Sequence, residues 1–377
     1  MQLLTVVGAR PQFIKAAAVS SAIAATQLSE RPIVERILHT GQHFDAAMSD
    51  QFFAELGIPE PAFHLGIGGG SHGANTGRML EAIEQVLLAE KPDGVLVYGD
   101  TDSTLAGALA ASKLKIPVLH VEAGLRSFNR HQPEEQNRVL TDHLAELCFA
   151  PTETAVAHLQ REGIAEERIV RTGDVMADAA RIFGAQAEAN AAGLLTAHGL
   201  DSVASVCLKG GHPFILATIH RAENTDDPVR LRAILTALAQ APLPVLLPLH
   251  PRTRHHLAQQ GLESLLQGLS TTEPLGFLSM VLLERRAALV VTDSGGVQKE
   301  AYLQGTPCVT VRSETEWVEL LEVGWNRLAD PAVCDPGLIL AVITTQLQLN
   351  RAQQRPQLYG DGFAAQAIVA RLQQVFC

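Results

Sequence analysis

The chain has 377 residues, roughly twice the usual domain length, and its 47% hydrophobic and 18% charged composition excludes extended disorder and predicts packed cores. A formal net charge of -11 sets it against phosphate backbones, so no nucleic-acid partner is expected, although local basic residues can still hold a small anion. The five cysteines (Cys148, Cys207, Cys308, Cys334 and Cys377) are scattered without the close pairs that zinc sites use, which fits a reducing cytoplasm and predicts no metal site.

Short apolar runs alternate with amphipathic ones from the first residues onward. The run 3–7 is β-rich and ends at Gly8, and Pro11 then suits the first turn of a helix over 12–25, where its missing N–H is no loss. A strand is predicted at 34–38, helices at 45–56 and 75–89, a strand at 94–98, an alanine-rich helix at 102–113 and a strand at 117–121. Fully apolar strands separated by helices predict a parallel sheet, shielded on both faces by its crossover helices. Periodicity weakens over 185–211, which contains Gly193, Gly199, Gly210 and Gly211 and reads as a frayed helix followed by a linker. Alternation restarts with strands at 213–218, 245–249, 287–292 and 308–311 and a helix at 229–239, and a last helix is predicted at 363–375. The fold class is therefore α/β, with one domain over 1–184, a linker over 185–211, a second domain over 212–358 and a terminal segment over 359–377. No leader for export is apparent, and no stretch approaches the roughly 18 apolar residues of a membrane span, so no membrane partner is expected.

Ligands of such sheets bind beyond the carboxyl ends of the strands. Polar residues gather there repeatedly: Arg10 and Gln12 with Lys15, His39 to His43, Asp100 and Asp102, His120 and Glu122, His220 and Arg221, His250 and Arg252, and Asp293 with Ser294. Their recurrence favours a shared central cleft over unrelated turns. In Asp293-Ser294-Gly295-Gly296 a strand runs into a small turn and a helix, which lets backbone N–H groups approach a diphosphate; an ordinary helix cap by Asp293 or Ser294 explains the same residues. Gly68 to Gly73 satisfies the Gly-x-Gly-x-x-Gly pattern but does not follow the first strand, so a mobile loop is the better reading and no NAD is implied. The acid–base candidates are Asp100, Glu122, Glu134, His220 and Glu300, since neighbouring carboxyls can raise one another's pKa and so divide acid from base. Glu134 and Glu135 equally suit the acidic first turn of a helix, and His220 equally suits a plain polar role.

On these stretches the sequence resembles the non-hydrolysing UDP-N-acetylglucosamine 2-epimerase family. The matches are Gly8-Ala9-Arg10-Pro11 with Lys15, Gly41-Gln42-His43, Tyr98-Gly99-Asp100-Thr101, His120 to Arg126, Pro133 to Arg138, Pro151-Thr152, Gly173-Asp174, His220 to Glu223, Thr292 to Gly296 and Tyr359 to Gly362. They cover almost the whole chain in order. The resemblance implies two Rossmann-like domains in a glycosyltransferase B-type architecture, the second binding UDP, with a C-terminal helix crossing back to the first. It also implies a homodimer and inversion of carbon 2 of a UDP-linked 2-acetamido sugar with no cofactor, NAD or metal. Asp100, Glu122, Glu134 and His220 match the family's catalytic group; Arg10 and Lys15 match residues near the diphosphate; Ser294 and Glu300 match nucleotide-binding positions, with Gly295 and Gly296 in the same turn and Arg138 and His250 as further substrate-binding candidates. The implied reaction eliminates UDP to give a glycal and adds it back on the other face, with Asp100 and Glu122 as the leading acid–base pair.

Departures from the family pattern narrow the substrate. The loop 127–132 is shorter than in the N-acetylglucosamine enzymes, and Arg312 to Glu319 replaces a Thr-Glu-Arg-Pro-Glu pattern. Both resemble the branch acting on UDP-2,3-diacetamido-2,3-dideoxyglucuronate for surface polysaccharide, in which Arg130 or His131 would meet the sugar carboxylate. Changes around Phe44 and Asp45 put an allosteric UDP-N-acetylglucosamine site in question. The rivals are a UDP-sugar glycosyltransferase, which would need an acceptor cleft, a hydrolysing epimerase, and a catalytically dead nucleotide-sugar sensor, which would not need so many acids.

Overall fold

Apolar, β-branched runs become the central strands of two sheets. The computed structural model describes residues 1–28, 30–42, 53, 55–197, 213–351 and 355–376. β1 (Gln2–Val7), β2 (Val34–His39), β3 (Phe63–His64), β4 (Gly94–Tyr98), β5 (Val118–Val121), β6 (Leu147–Ala150) and β7 (Ile169–Arg171) form a sheet in the order β3-β2-β1-β4-β5-β6-β7. A second sheet, in the order β10-β9-β8-β11-β12-β13, is built from β8 (Ile215–Thr218), β9 (Val245–Pro248), β10 (Ser270–Thr272), β11 (Leu289–Thr292), β12 (Cys308–Thr310) and β13 (Asn326–Leu328). Every pairing in both sheets is parallel. Val95, Val97, Val118 and Cys148 in the first sheet and Ile215, Leu247, Val291 and Val309 in the second are buried, as strands covered on both faces require.

The chain divides into two units, Met1–Ile182 with Gln357–Cys377, and Phe183–Pro356, each a doubly wound, Rossmann-like sheet. In the first, the strand order reverses between β1 and β4; in the second, between β8 and β11. Each reversal leaves a crevice at the carboxyl ends of two central strands, because the helices leaving them turn to opposite faces.

The helices begin where local chemistry provides for their unpaired N–H groups. α1 (Arg10–Ala24) carries Pro11 in its first turn. α2 (His72–Glu90) is capped by Ser71, whose side chain accepts from Ala74 N, and α3 (Asp102–Lys113) by Thr101, which accepts from Thr104 N. α4 (Pro133–Leu144) opens on Pro133 with Glu134 and Glu135 in its acidic first turn. α5 (Val175–Ala189) carries the chain from the first unit into the second, α6 (Gly295–Gln304) follows β11, and α7 (Ala364–Phe376) belongs to the first unit, where buried Asp178 accepts Ala364 N at 3.0 Å and Ala365 N at 2.9 Å.

The segment 185–211, read from the sequence as a frayed helix followed by a linker, is helical in its first part, through α5 and a further helix Ala191–Ala197; 198–212 lie outside the described residues. Of the helix expected at 45–56, Phe53, Glu55 and Leu56 are helical and the remainder lies outside the described residues, as do His43, Phe44, Asp45, Cys207 and Cys377. The glycine run at 68–73 follows the edge strand β3 and leads into α2, a position that does not fit a dinucleotide fingerprint. Among the described residues no helix is long and apolar enough to cross a membrane.

Candidate active site

At the switch point of the first unit the backbone is packed so closely that only glycine fits. A Cβ on Gly8 would lie 2.1 Å from Thr40 Oγ1 and 2.2 Å from Ser103 Oγ. Buried Gln12 ties the two strand ends together: its Oε1 accepts Gly8 N at 2.8 Å and Ala9 N at 3.0 Å, while its Nε2 donates to Tyr98 O and Thr104 Oγ1, both at 2.9 Å. Arg10 opens α1 from this turn.

One turn into α1, Lys15 Nζ donates to Glu122 Oε1 at 2.6 Å, and the two side chains are only 11% and 10% exposed. Glu122 holds a left-handed backbone, φ +72°, which is unfavourable for a side-chain-bearing residue and is imposed by the sharp turn after β5. Gly99, φ +63°, lies against the pair: a Cβ there would sit 3.4 Å from Lys15 Nζ and 3.8 Å from Glu122 Oε1. Below the turn, fully buried His120 is clamped between Asp142 Oδ1 at 2.6 Å and the Gly99 carbonyl at 2.8 Å. Asp142 Oδ2 accepts Gly124 N at 3.0 Å and pairs with Arg126 Nη1 at 2.8 Å, and Arg126 continues to Glu162. Burial opposes ionisation of Asp142, but His120 and then Arg126 outweigh it and hold the carboxyl below its ordinary value.

Asp100 is bound differently. Its Oδ2 accepts Arg138 Nε at 2.9 Å and Nη2 at 2.8 Å, while Arg138 Nη1 donates to Glu135 Oε2 at 2.6 Å. Glu135 in turn accepts Ser127 N and Phe128 N, each at 2.9 Å, anchoring the loop 127–132. Burial would raise the pKa of Glu135, but those two N–H groups and Arg138 prevail and lower it. Glu134 is exposed, as are Arg130 and His131 on the anchored loop. Across from α4, His72 Nδ1 lies 2.8 Å from Asp102 Oδ2. Asp100 and Glu122 are thus each bound to a cation of their own, in place of the carboxyl–carboxyl pairing that the sequence reading entertained.

The second unit organises its switch point around Asp293, which is fully buried and accepts His220 N at 3.0 Å, Arg221 N at 3.0 Å and Asn224 Nδ2 at 3.1 Å. His220 Nδ1 lies 3.4 Å from Asp293 Oδ1, and the His220 ring tilts against His250 with centroids 5.4 Å apart. His250 Nδ1 accepts Arg252 N at 3.2 Å; burial, then His220 and Arg252, pull its pKa below the ordinary histidine value.

Ser294 stands at the cap position of α6 without a side-chain cap bond, and Asp293 is turned to the β8 loop, so the helix-cap explanation of this turn is not realised by either side chain. The start of α6 therefore presents N–H groups at the end of β11, the arrangement that attracts anions. Glu300 folds back toward the same end, its Oε1 4.0 Å from where a Cβ on Gly296 would be. Segment 312–317 closes over it: Arg312 Nη1 donates to Glu316 Oε2 at 2.8 Å, Trp317 Nε1 donates to Gly295 O at 2.9 Å, and Lys299 Nζ stacks 4.3 Å from the Trp317 ring centre.

Lys15, Asp100, Glu122, Glu134 and Arg138 thus collect at the strand ends of the first unit, with Arg10 at the same edge; His220, His250, Ser294, Gly295, Gly296 and Glu300 collect at those of the second. Sequence reasoning named Gln12 and Asp102 only as strand-end residues and Glu135 only as a helix-start acid, and it missed Asp142. The proximity of Glu135 to Glu134 hid which of the two faces inward, and nothing local ties Asp142 to His120, 22 residues away.

The family profile described as UDP-N-acetylglucosamine 2-epimerase matches residues 26–373. The chain is 50% identical, over 99% of both chains, to the UDP-2,3-diacetamido-2,3-dideoxy-D-glucuronate 2-epimerase of Pseudomonas aeruginosa. It is 40% identical to the UDP-N-acetylglucosamine 2-epimerase of Methanocaldococcus jannaschii, over 98% of each chain. The crystal structure of that organism's enzyme in complex with UDP-GlcNAc and UDP superposes with a TM-score of 0.83, covering 99% of this chain and 100% of that one. The Neisseria meningitidis enzyme bound to UDP-GlcNAc is 30% identical and superposes with a TM-score of 0.82, over 99% of this chain and 100% of that one. With these matches running through both sheets and both switch points, the chain belongs to the UDP-N-acetylglucosamine 2-epimerase family of isomerases.

Proposed function

We propose that the protein is a non-hydrolysing 2-epimerase of UDP-2,3-diacetamido-2,3-dideoxy-D-glucuronate, supplying the manno-configured sugar for surface polysaccharide. The observation that carries the substrate is the 50% identity, end to end, with the Pseudomonas aeruginosa enzyme of that name. The short loop 127–132 and the segment 312–319 support it. The 40% identity with the Methanocaldococcus jannaschii enzyme keeps UDP-N-acetylglucosamine as the second reading.

In the proposed reaction a carboxylate of the first unit removes the proton at carbon 2 while the carbon 1–oxygen bond breaks, its electron pair leaving with UDP. The glycal then accepts a proton at carbon 2 on the opposite face, and a UDP oxygen re-adds at carbon 1. No carbonyl acidifies carbon 2, so departure of the diphosphate has to share the barrier; the N–H groups of α6 and Ser294 are assigned to the charge that develops on it. Asp100 and Glu122 are the proposed acid–base pair, with Glu134 and His220 assisting. Arg10, Lys15, Arg138 and His250 are assigned to substrate binding, and Glu300 to the ribose hydroxyls. Their cation partners suit this work: Lys15 and Arg138 keep the carboxylates oriented and can turn to the substrate when a proton arrives. The sugar carboxylate needs a cation of its own, for which Arg130 and His131 on the exposed loop 127–132 are candidates. A cytoplasmic homodimer is the proposed state, checked by light scattering.

The test is incubation with each UDP-sugar in deuterated water. Inversion with deuterium entering carbon 2, UDP retained in the product and the uronate preferred is the expected result. Net release of free sugar, or transfer to an acceptor, would overturn the reading.

A further inference from the structure

Most cations that border the Asp100–Glu122 edge of the first unit are already engaged: Lys15 with Glu122, and Arg138 with both Asp100 and Glu135, their side chains 11% and 16% exposed. His72 combines anchoring with access. Its side chain is 67% exposed, yet its Nδ1 lies 2.8 Å from Oδ2 of Asp102, whose own side chain is 7% exposed. The other Asp102 oxygen accepts Asn137 Nδ2 at 3.3 Å, and the same amide nitrogen donates to the Asp100 carbonyl at 2.9 Å. His72 is therefore tied through two side chains to the backbone of Asp100. By contrast, Arg130 and His131 have no side-chain partner among the described residues and rest on the loop that Glu135 anchors.

A carboxylate is an acceptor, so Asp102 fixes the proton of His72 on Nδ1 and leaves Nε2 as the ring nitrogen available to a ligand. The acidic groups whose charge reaches the ring are Asp102 on α3 and Glu134 on α4; the Asp102 hydrogen bond is the largest influence, and together they raise the proton affinity of His72. The imidazolium presents an Nε2–H donor, whereas the neutral ring, its one proton held at Nδ1, presents a lone pair. The start of α2, where His72 sits, also favours an anion.

We propose that His72 is a specificity-determining residue that binds the sugar carboxylate of the UDP-uronate through Nε2–H, with Asp102 as its positioning residue. This rests on the uronate reading above. A neutral sugar offers no carboxylate for this contact, and UDP alone offers no sugar. The sign of the pH effect follows from the ring: affinity for the uronate is present while His72 is protonated and is lost as pH rises through its raised pKa, when Nε2 becomes a lone pair facing a carboxylate.

The experiment compares wild type, His72→Gln and Arg130→Ala in steady-state epimerisation of the uronate from about pH 5.5 to about pH 8.5, with inhibition by UDP measured in parallel. For His72→Gln at the acid end, KM is expected to rise roughly tenfold, with kcat and the UDP inhibition constant each within about twofold of wild type. The wild-type KM rises with pH and the His72→Gln KM is nearly flat, so the two converge at the alkaline end. An unchanged KM in His72→Gln, or a wild-type pH dependence of KM that persists in the variant, would overturn the assignment; a KM loss confined to Arg130→Ala would hand the carboxylate to the loop. No epimerisation of the uronate by wild type would overturn the functional reading and this proposal together. Turnover of the uronate with an unaltered His72→Gln overturns the proposal alone.

Discussion

At the switch point of the first unit the functional carboxylates are met by side-chain cations, Glu122 by Lys15 and Asp100 by Arg138, whereas at the switch point of the second the buried carboxylate of Asp293 is met by the N–H groups of His220 and Arg221 and the amide of Asn224. A side-chain ion pair can part and re-form as a proton comes and goes. A carboxylate fixed by backbone donors cannot, and serves to hold a turn in place. In the proposed reaction the two edges would divide the work of an elimination: one would handle a proton, and the other would hold still an array of donors for the departing anion.

The division can be broken from the first side with the largest effect. Glu122→Gln keeps the shape and a hydrogen bond to Lys15 but cannot take a proton, so kcat is expected to fall about a thousandfold with little change in melting temperature. A loss below about tenfold would remove Glu122 from the chemistry.

A smaller effect, on stability, is expected from Asp142→Asn. The substitution leaves His120 and Arg126 without their buried counter-charge, at a cost of about 3 kcal/mol in chemical denaturation. The pH dependence sharpens this. The folded pKa of Asp142 is depressed, so its contribution is present above the ordinary aspartate pKa and is lost as pH falls through the folded value. Wild type should therefore lose stability on the acid side more steeply than Asp142→Asn, as measured by unfolding from neutral pH downward.

On the second side, Gly295→Ala places a Cβ 2.2 Å from Glu316 Oε1 at the start of α6. The Glu316 side chain can swing away, giving up its bond to Arg312, so stability should change by less than about 1 kcal/mol. UDP affinity, measured by calorimetry, is expected to weaken several-fold, because the added methyl stands where the diphosphate approaches. Unchanged affinity would move the anion site away from α6.

The same contrast explains what the sequence made legible. β1, β4, β8 and β11 could be read because they are mostly apolar and each ends in a polar turn, so fold class and strand-end residues emerged together. β13 was not legible: Asn-Arg-Leu reads as polar, yet Asn326 is buried because its side chain bonds Thr310 and Gln298. In the first unit Glu122, Asp100, Lys15 and Arg138 could each be named from the sequence, but which cation meets which carboxylate could not, nor could the bond of Asp142 to His120, because these pairings are consequences of packing. Glu134 and Glu135 show the limit most clearly, since adjacent residues on a helix point about 100° apart and only the neighbouring loop decides which is buried.

The central claim is that UDP leaves carbon 1 and returns to it during each inversion. It is tested most directly with a UDP-sugar carrying oxygen-18 at the bridge between carbon 1 and the β-phosphorus. The account predicts that the label spreads into the non-bridging β-phosphate oxygens in step with inversion at carbon 2. Inversion with the label retained entirely at the bridge would contradict it.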